Sequence, residues 1–404
     1  KITSKEDYQH YLAAKPQIKA IQERENLSFW ENKLLEHPDQ YPYLAKIASA
    51  NTKLFSYTGE IRYLKSAELS LIALNKKTIN AGHLRALARN YISQHKFQES
   101  LTLLIKAEEN GENLIATQKM LFDVHLELGN DTKAEKYLKV LEQSNGFDYL
   151  IRASKWSDER GNLDRAISYL QRALAIAEAS KNDELLLWSY TNLADFYGHN
   201  NQIKKSYEFY LKSLELDPNN AYAKKGIAWI VYSYENNPEE SMRILSVIQK
   251  NHQSPDYKLL QAELAEYMDD EKQKKKYLQT YLSAVENEMY GEMYNQYNAK
   301  LFLEEYSNED TALAIIKREI ANRPTAASYD LLAWATLKNG AVRDALTIAE
   351  KHVVGKTYEP EALYHLAEIY KANDMPEKAK RLKDELVESS YELGPLMAVK
   401  IKQI

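Results

Sequence analysis

From Ala81 onward the apolar positions of the chain follow one recurring pattern. An apolar residue is followed by a small one, an aromatic or apolar residue stands three places on, a turn follows, and a second small residue opens another apolar run. The stretch from Leu187 to Asn220 is its plainest copy. Leu193, Ala194 and Tyr197 share one helical face. Asn200 and Asn201 make a turn, and Ser206, Tyr210, Ser213 and Leu214 share the face of a second helix, which Asp217-Pro218-Asn219-Asn220 ends. The pattern predicts helix, turn, helix, stop.

Units of this kind start at Ala81, Ile115, Phe147, Leu187, Ala221, Lys258, Met293, Ala326 and Pro360, a period of roughly 34 residues. The eighth residue of each is Ala88, Phe122, Ser154, Ala194, Ala228, Ala265, Lys300, Ala333 and Ala367. The second helix opens on Ser100, Ala134, Ala166, Ser206, Ser241, Tyr277, Ala312, Ala345 and Ala379. Two helices that meet through residues this small approach closely. The turns carry Gly129, Gly161 and Gly340, suited to positive φ at a helix C-terminus.

Residues 1–80 read as an irregular helical N-terminal cap with about one degenerate repeat. Tyr8, Tyr11 and Leu12 form an amphipathic stretch that stops near Pro16, and Phe29, Trp30, Leu34 and Leu35 make a second helix before His37-Pro38. Leu44, Ile47, Ala48 and Leu54 start a further pair, turned at Gly59. Residues 81–393 hold the nine units. Gly394-Pro395 ends the last helix and leaves residues 394–404 as a tail.

Composition sharpens this picture. Gly and Pro together are only 22 of 404 residues, which disfavours turn-rich sandwiches and barrels. The net charge of −5 supplies no basic field for a polyanion, so nucleic acid is not the expected partner. With no cysteine there is no disulfide, thiolate nucleophile or Cys-ligated metal. No apolar run reaches the length of a membrane span. Phosphate loops, dinucleotide-binding glycines and nucleophile elbows are missing, and no two of the nine histidines stand four apart. No enzyme activity, cofactor or metal is expected.

The units resemble the tetratricopeptide repeat (TPR). Leu193, Ala194, Tyr197, Tyr210 and Pro218 match the signature places of that family, as do Leu366, Ala367, Tyr370 and Ala379 in the last unit. Lys300, Tyr277, Lys383 and Ser157 depart from it. The resemblance implies an all-α, right-handed superhelical α-solenoid whose first helices line a concave groove for a protein or peptide segment. Carried over to this chain, the groove positions are Arg85, Arg89, Lys119, Lys155, Trp188, Asp195, His199, Tyr222, Lys225, Trp229 and Tyr232. Cations therefore stand at one end and aromatics in the middle. The Lys and Asn spacing by which some TPR proteins clamp a C-terminal carboxylate is absent.

An alternative is a glycan-binding or transport-accessory protein, in which Trp188, Tyr222, Trp229 and Tyr232 form a flat stacking surface. A second cluster, Tyr290, Tyr294 and Tyr297, has the spacing of one helix face. Because the chain starts at Lys1 and resembles exported bacterial TPR proteins, a bacterial envelope or exported location is expected, with a cytoplasmic one as the alternative. A lipid-modified cysteine upstream of Lys1 would make it a tethered lipoprotein.

Overall fold

The computed structural model describes residues 1–13 and 17–404. The stop expected at Pro16 lies outside the described residues. Among those residues the chain is all helix, without a strand. Two helices, α1 (Lys5–Leu12) and α2 (Ile18–Glu36), precede a run of helix pairs. The first three pairs are α3 (Pro42–Thr58) with α4 (Ile61–Lys77), α5 (Ala81–Ser93) with α6 (Phe97–Asn110), and α7 (Leu114–Glu127) with α8 (Asp131–Glu142). Next come α9 (Phe147–Asp158) with α10 (Leu163–Ser180), α11 (Asp183–His199) with α12 (Ile203–Leu216), and α13 (Ala221–Trp229) with α14 (Pro238–Ile248). The series continues with α15 (Asp256–Tyr267) and α16 (Glu271–Val285), then α17 (Asn295–Glu304) and α18 (Glu309–Asn322). It ends with α19 (Ala326–Lys338) and α20 (Val342–His352), then α21 (Pro360–Ala372) and α22 (Pro376–Glu388), followed by α23 (Ser390–Ile401). The pairs stack into a right-handed superhelical α-solenoid.

Small residues bring the two helices of each pair together. The fourth residue of the second helix is Ser100, Ala134, Ala166, Ser206, Ser241, Ala312, Ala345 or Ala379 in eight of the pairs from α5 to α22, and every one is buried. At two of these contacts a side chain on one helix reaches the backbone of the other. Ser100 Oγ donates to the Ala88 carbonyl at 3.0 Å, and Ser154 Oγ donates to the Ala166 carbonyl at 2.8 Å. No larger residue would allow that approach.

The pair α15–α16 breaks the rule. Lys274, not Tyr277, is the fourth residue of α16, and its ammonium lies 2.9 Å from both Glu266 and Glu305. Tyr277 stands nearly one turn further along. In α17 the small position is likewise filled by buried Ala299, not Lys300, which turns to Glu361. Leu187 lies inside α11, because Asn182 caps the helix earlier by accepting from the Glu184 and Leu185 amides.

Each turn from first to second helix holds one residue at positive φ, two places before the second helix. Gly59, Gly129, Gly161 and Gly340 do so in four pairs; His95, Asn201, Asn236, Asp269, Ser307 and Asp374 do so in the other six. The next amide closes the helix end, as Lys96 N does on the Tyr91 carbonyl at 2.9 Å and Gln202 N on that of Tyr197 at 2.7 Å. This is the Schellman arrangement.

These turns also build the superhelix. Gln253 N donates to the Thr58 carbonyl at 2.7 Å, Asn322 Nδ2 to that of His95 at 2.8 Å, and Asn201 Nδ2 to that of Glu388 at 2.6 Å. Arg323 pairs with Glu127 at 2.8 Å, across 196 residues. The turn of the third pair, at Gly129, meets the loop between the eighth and ninth pairs. That of the fourth, at Gly161, meets the loop between the ninth and tenth. One superhelical turn therefore closes in between five and six pairs, and successive turns touch. At Gly161 both constraints meet: φ is 72°, and a Cβ would come within 2.7 Å of the Tyr358 ring.

Both ends of the chain are tied down. α1 packs on α12 and α14, where Tyr8 donates to buried Glu240 at 2.9 Å and Lys5 and Arg243 pair with the same carboxylate. Burial opposes ionisation there, but these hydrogen bonds hold the Glu240 carboxyl down at about 2. Residues 394–404, read as a tail, are largely helical instead. Chain direction changes at Gly394, α23 continues to Ile401, and Ile401 is buried against Ala367 and Leu386.

The seam carries one conflict. Asp158 and Glu159, at the end of α9, face Glu359 from the loop before α21 and Glu392 from α23, with His199 beside them. Burial, and then the charges of Glu392, Asp158 and Glu159, push the Glu359 carboxyl up to about 7.

Two outcomes follow. Ala194→Leu should overpack α11 against α12 and lower stability by roughly 1–3 kcal/mol in chemical denaturation. Wild-type stability in that variant would mean that close approach at this contact is not required. Glu359 binds its proton more tightly in the folded chain than in the unfolded one, so its cost to stability grows as pH rises from about 4.5 to about 7 and is fully present above that. Glu359→Gln should therefore raise Tm at about pH 8, with the gap closing towards about pH 5. A gap independent of pH would refute the repulsion.

Candidate functional site

The cations expected to face a ligand are largely engaged along the first helices. Lys119 on α7 pairs with Asp148 on α9 at 2.9 Å, Arg152 on α9 with Asp123 on α7 at 2.6 Å, and Lys155 on α9 with Glu127 on α7 at 2.8 Å. Lys225 on α13 pairs with Asp256 on α15 at 2.6 Å. Arg85 donates to the Glu112 carbonyl at 2.9 Å and to Thr117 Oγ1 at 3.1 Å. Arg89, one turn on, stands exposed by itself, so the two arginines do not form a fork. The cationic end of the groove is thus mostly a ladder of pairs joining one repeat to the next. A signal for it was present in the chain, since opposite charges recur 28 to 31 residues apart.

Two aromatic rings remain open. Trp188, on α11, is 37% exposed, its indole edge-on to Phe147 at 5.8 Å. Tyr222, at the start of α13, is 56% exposed, yet its hydroxyl is fixed by donation to Asp195 on α11. Tyr210 donates to the same carboxyl, whose affinity for a proton is raised by burial and only partly restored by the two hydroxyls. A ring held at its tip and open on its faces is a rigid contact surface.

Both rings line one cavity of about 810 Å³, whose walls also include Tyr257, Lys225 and Asp256. Its far wall comes from the first pair, where Lys53, Ser56 and Tyr57 on α3 face across the seam. Nothing in the repeat pattern placed α3 opposite α11. A second cavity of about 180 Å³ shares Tyr222 and Lys225 and adds Asp195, His199, Trp229, Tyr391 and Glu392.

The other two proposed aromatics are elsewhere. Tyr232 is fully buried, with its hydroxyl on Glu263 at 3.0 Å, and belongs to the core, not to the groove surface. The helix widens to a π turn at Ile230–Tyr234, which carries Tyr232 inward. Trp229 stands edge-on to Tyr232 at 5.6 Å and donates through Nε1 to the Tyr391 carbonyl at 3.1 Å. The four rings therefore form no flat platform. Tyr290, Tyr294 and Tyr297 do not share a helix face either. Tyr290 ends a short 3₁₀ turn, Tyr294 caps α17, and the rings meet edge to edge or tilted.

Among the described residues no cluster of three or more acidic or histidine side chains has the arrangement of a metal site, and no helix is long and apolar enough to cross a membrane.

Residues 159–219 match the family model for the tetratricopeptide repeat. No curated protein matches the chain in sequence. Among solved structures the chain is similar to pilF of Pseudomonas aeruginosa, with 18% identity and a TM-score of 0.39, covering 53% of this chain and 96% of that one. It is also similar to yeast Tom70, with 14% identity and a TM-score of 0.37 over 99% and 96% of the two chains. The likeness to human IFIT1 is at 12% identity with a TM-score of 0.44, over 90% and 94%. The matched segment holds α10, α11 and α12, and the same turn and close contact recur in the pairs on either side, so the tetratricopeptide-repeat match lies within a longer array of like helix pairs.

Proposed function

We propose that the chain is a scaffold that binds a segment of another protein inside the superhelix, seated on Trp188 and Tyr222. The observation that carries this reading is the cavity of about 810 Å³ into which both rings open. Rigid aromatic faces supply contact area at little entropic cost, and Lys225, Asp256 and Lys53 at the rim can meet backbone and charged groups of a peptide.

The test is panning of a random peptide library against the purified chain and against the Trp188→Ala, Tyr222→Ala variant. Wild type should enrich peptides with a common motif, and the variant should lose at least tenfold in affinity for them while keeping its Tm. Equal binding to both chains, or no enrichment by wild type, would refute the site.

A further inference from the structure

Four successive first helices carry one apolar side chain each at the same place in the repeat. Ile115 on α7, Phe147 on α9, Trp188 on α11 and Tyr222 on α13 stand at the first or second residue of their units. Trp188 and Tyr222 open into the larger cavity. Ile115 lies one turn before Lys119 and two before Asp123, on the face of α7 that pairs with α9, and is 47% exposed. Phe147 is half-buried. Each step between these helices is closed by a direct contact: Lys119 with Asp148, the Phe147 ring with that of Trp188 at 5.8 Å, and Tyr222 with Asp195. The four side chains therefore form one strip, continuous with the cavity, and are not scattered apolar residues.

The strip is one side chain wide. On one side lie the capping residues Asn113 and Asn220, which accept from the Ala116 and Ala223 amides. On the other, one turn along α7 and α13, Lys119 and Lys225 are held by Asp148 and Asp256. An amphipathic helix buries a broader stripe, three or four residues in every two turns, so a strip this narrow suits one edge of an extended chain.

The spacing selects the conformation of that chain. Packed helix axes stand about 8–10 Å apart. A β-strand returns to the same face at every second residue, after about 6.6 Å, which falls short of one step. A polyproline II chain rises about 3.1 Å per residue and returns to the same edge at every third, after about 9.3 Å.

At the next step, on α5, the apolar series ends. Gly82 takes the second place of that unit, and the Arg85 guanidinium stands beside it, with Nη2 3.8 Å from where a Cβ would be. Arg85 Nη1 donates to the Glu112 carbonyl and to Thr117, which ties α5 to α7. Among the described residues neither Arg85 nor Arg89 pairs with a carboxylate, whereas Lys119, Lys155 and Lys225 each do.

We propose that this rim binds a polyproline II segment with an apolar residue at every third place, four in series, and a carboxylate at the fifth place, over Arg85. This inference rests on the reading of Trp188 and Tyr222 as a protein-binding surface, and adds the periodicity, conformation and charged end of the partner.

The test titrates labelled synthetic peptides with the full chain, followed by fluorescence anisotropy. Two peptides hold four copies of Leu-Pro-Ser with an aspartate at the next third place, after the last leucine in one and before the first in the other. A control of the same composition has its leucines at every second place. One of the two should bind about tenfold more tightly than the control, and asparagine in place of its aspartate should weaken it about fivefold. Ile115→Asn and Arg85→Gln should each weaken that peptide about fivefold at unchanged Tm, Ile115→Leu should bind as wild type does, and Arg85→Gln should abolish the preference for aspartate over asparagine. Equal binding of the control, or undiminished binding by Ile115→Asn, would overturn the inference. So would a dimer of the chain in sedimentation that Ile115→Asn dissociates, since a second copy would then cover the strip. Peptides selected from the random library keep the two readings apart: if they need Trp188 and Tyr222 but show no period of three and ignore Ile115, the cavity stands and the rim site falls.

Discussion

Everything in this molecule depends on how closely two helices can approach within a pair. Alanine or serine at the contact lets backbones come near enough for a serine hydroxyl on one helix to bond a carbonyl on the other, as Ser100 does to Ala88 and Ser154 to Ala166. That contact makes each pair a thin wedge. Stacked wedges rotate by a constant amount, and the rotation accumulates into a superhelix. Where Lys274 takes the small place, two carboxylates on neighbouring helices hold its ammonium, so a polar bridge replaces the close contact without ending the array.

The superhelix is wound tightly enough for its successive turns to touch, and this contact converts an open spring into a closed body. Turn residues with positive φ expose backbone carbonyls on one edge, and side chains such as Asn322 and Asn201 bond to the edge opposite. Glu127 serves both directions, pairing with Lys155 in the next repeat and with Arg323 a full turn away. Burial would raise its carboxyl, yet the two cations together keep it below its usual value. Around Glu359 the charges of Glu392, Asp158 and Glu159 outweigh that of His199. The seam therefore combines well-matched contacts with one charged weak point.

Closure has a consequence for binding. A groove open along its length would present all of its positions at once, whereas here the interior is divided into separate cavities, and α23 enters from the far end to cover Trp229. Of the aromatic side chains facing the interior, Trp188 and Tyr222 stay exposed, as the proposed binding surface requires. Tyr222 owes its orientation to Asp195 in the preceding repeat, so the proposed contact surface and repeat packing share a residue.

The array was legible in the chain because its cause is local: small residues at fixed spacing, apolar positions at helical period and stop signals near each turn all lie within one repeat. Ala88, Ala194, Ala228, Ala333 and Ala367 are buried where their spacing put them. The four turn glycines and the Asn200-Asn201 turn were visible, but the other turns use asparagine, aspartate, serine or histidine in the same conformation, which composition does not single out. The site was only partly legible. Trp188 and Tyr222 follow from the register of α11 and α13, whereas the burial of Tyr232 depends on a π turn that adds a residue to one helical turn and moves a side chain inward. The positions of Tyr57 on α3 and Tyr391 on α23 beside the groove depend on the pitch of the whole superhelix, a sum of small rotations over many pairs that no single repeat encodes. Sequence alone determined the repeat, its close contact and its helix ends, because each is fixed by neighbours a few residues away. Tertiary structure alone decided which groove residues stay open, because that depends on contacts between residues nearly 200 positions apart.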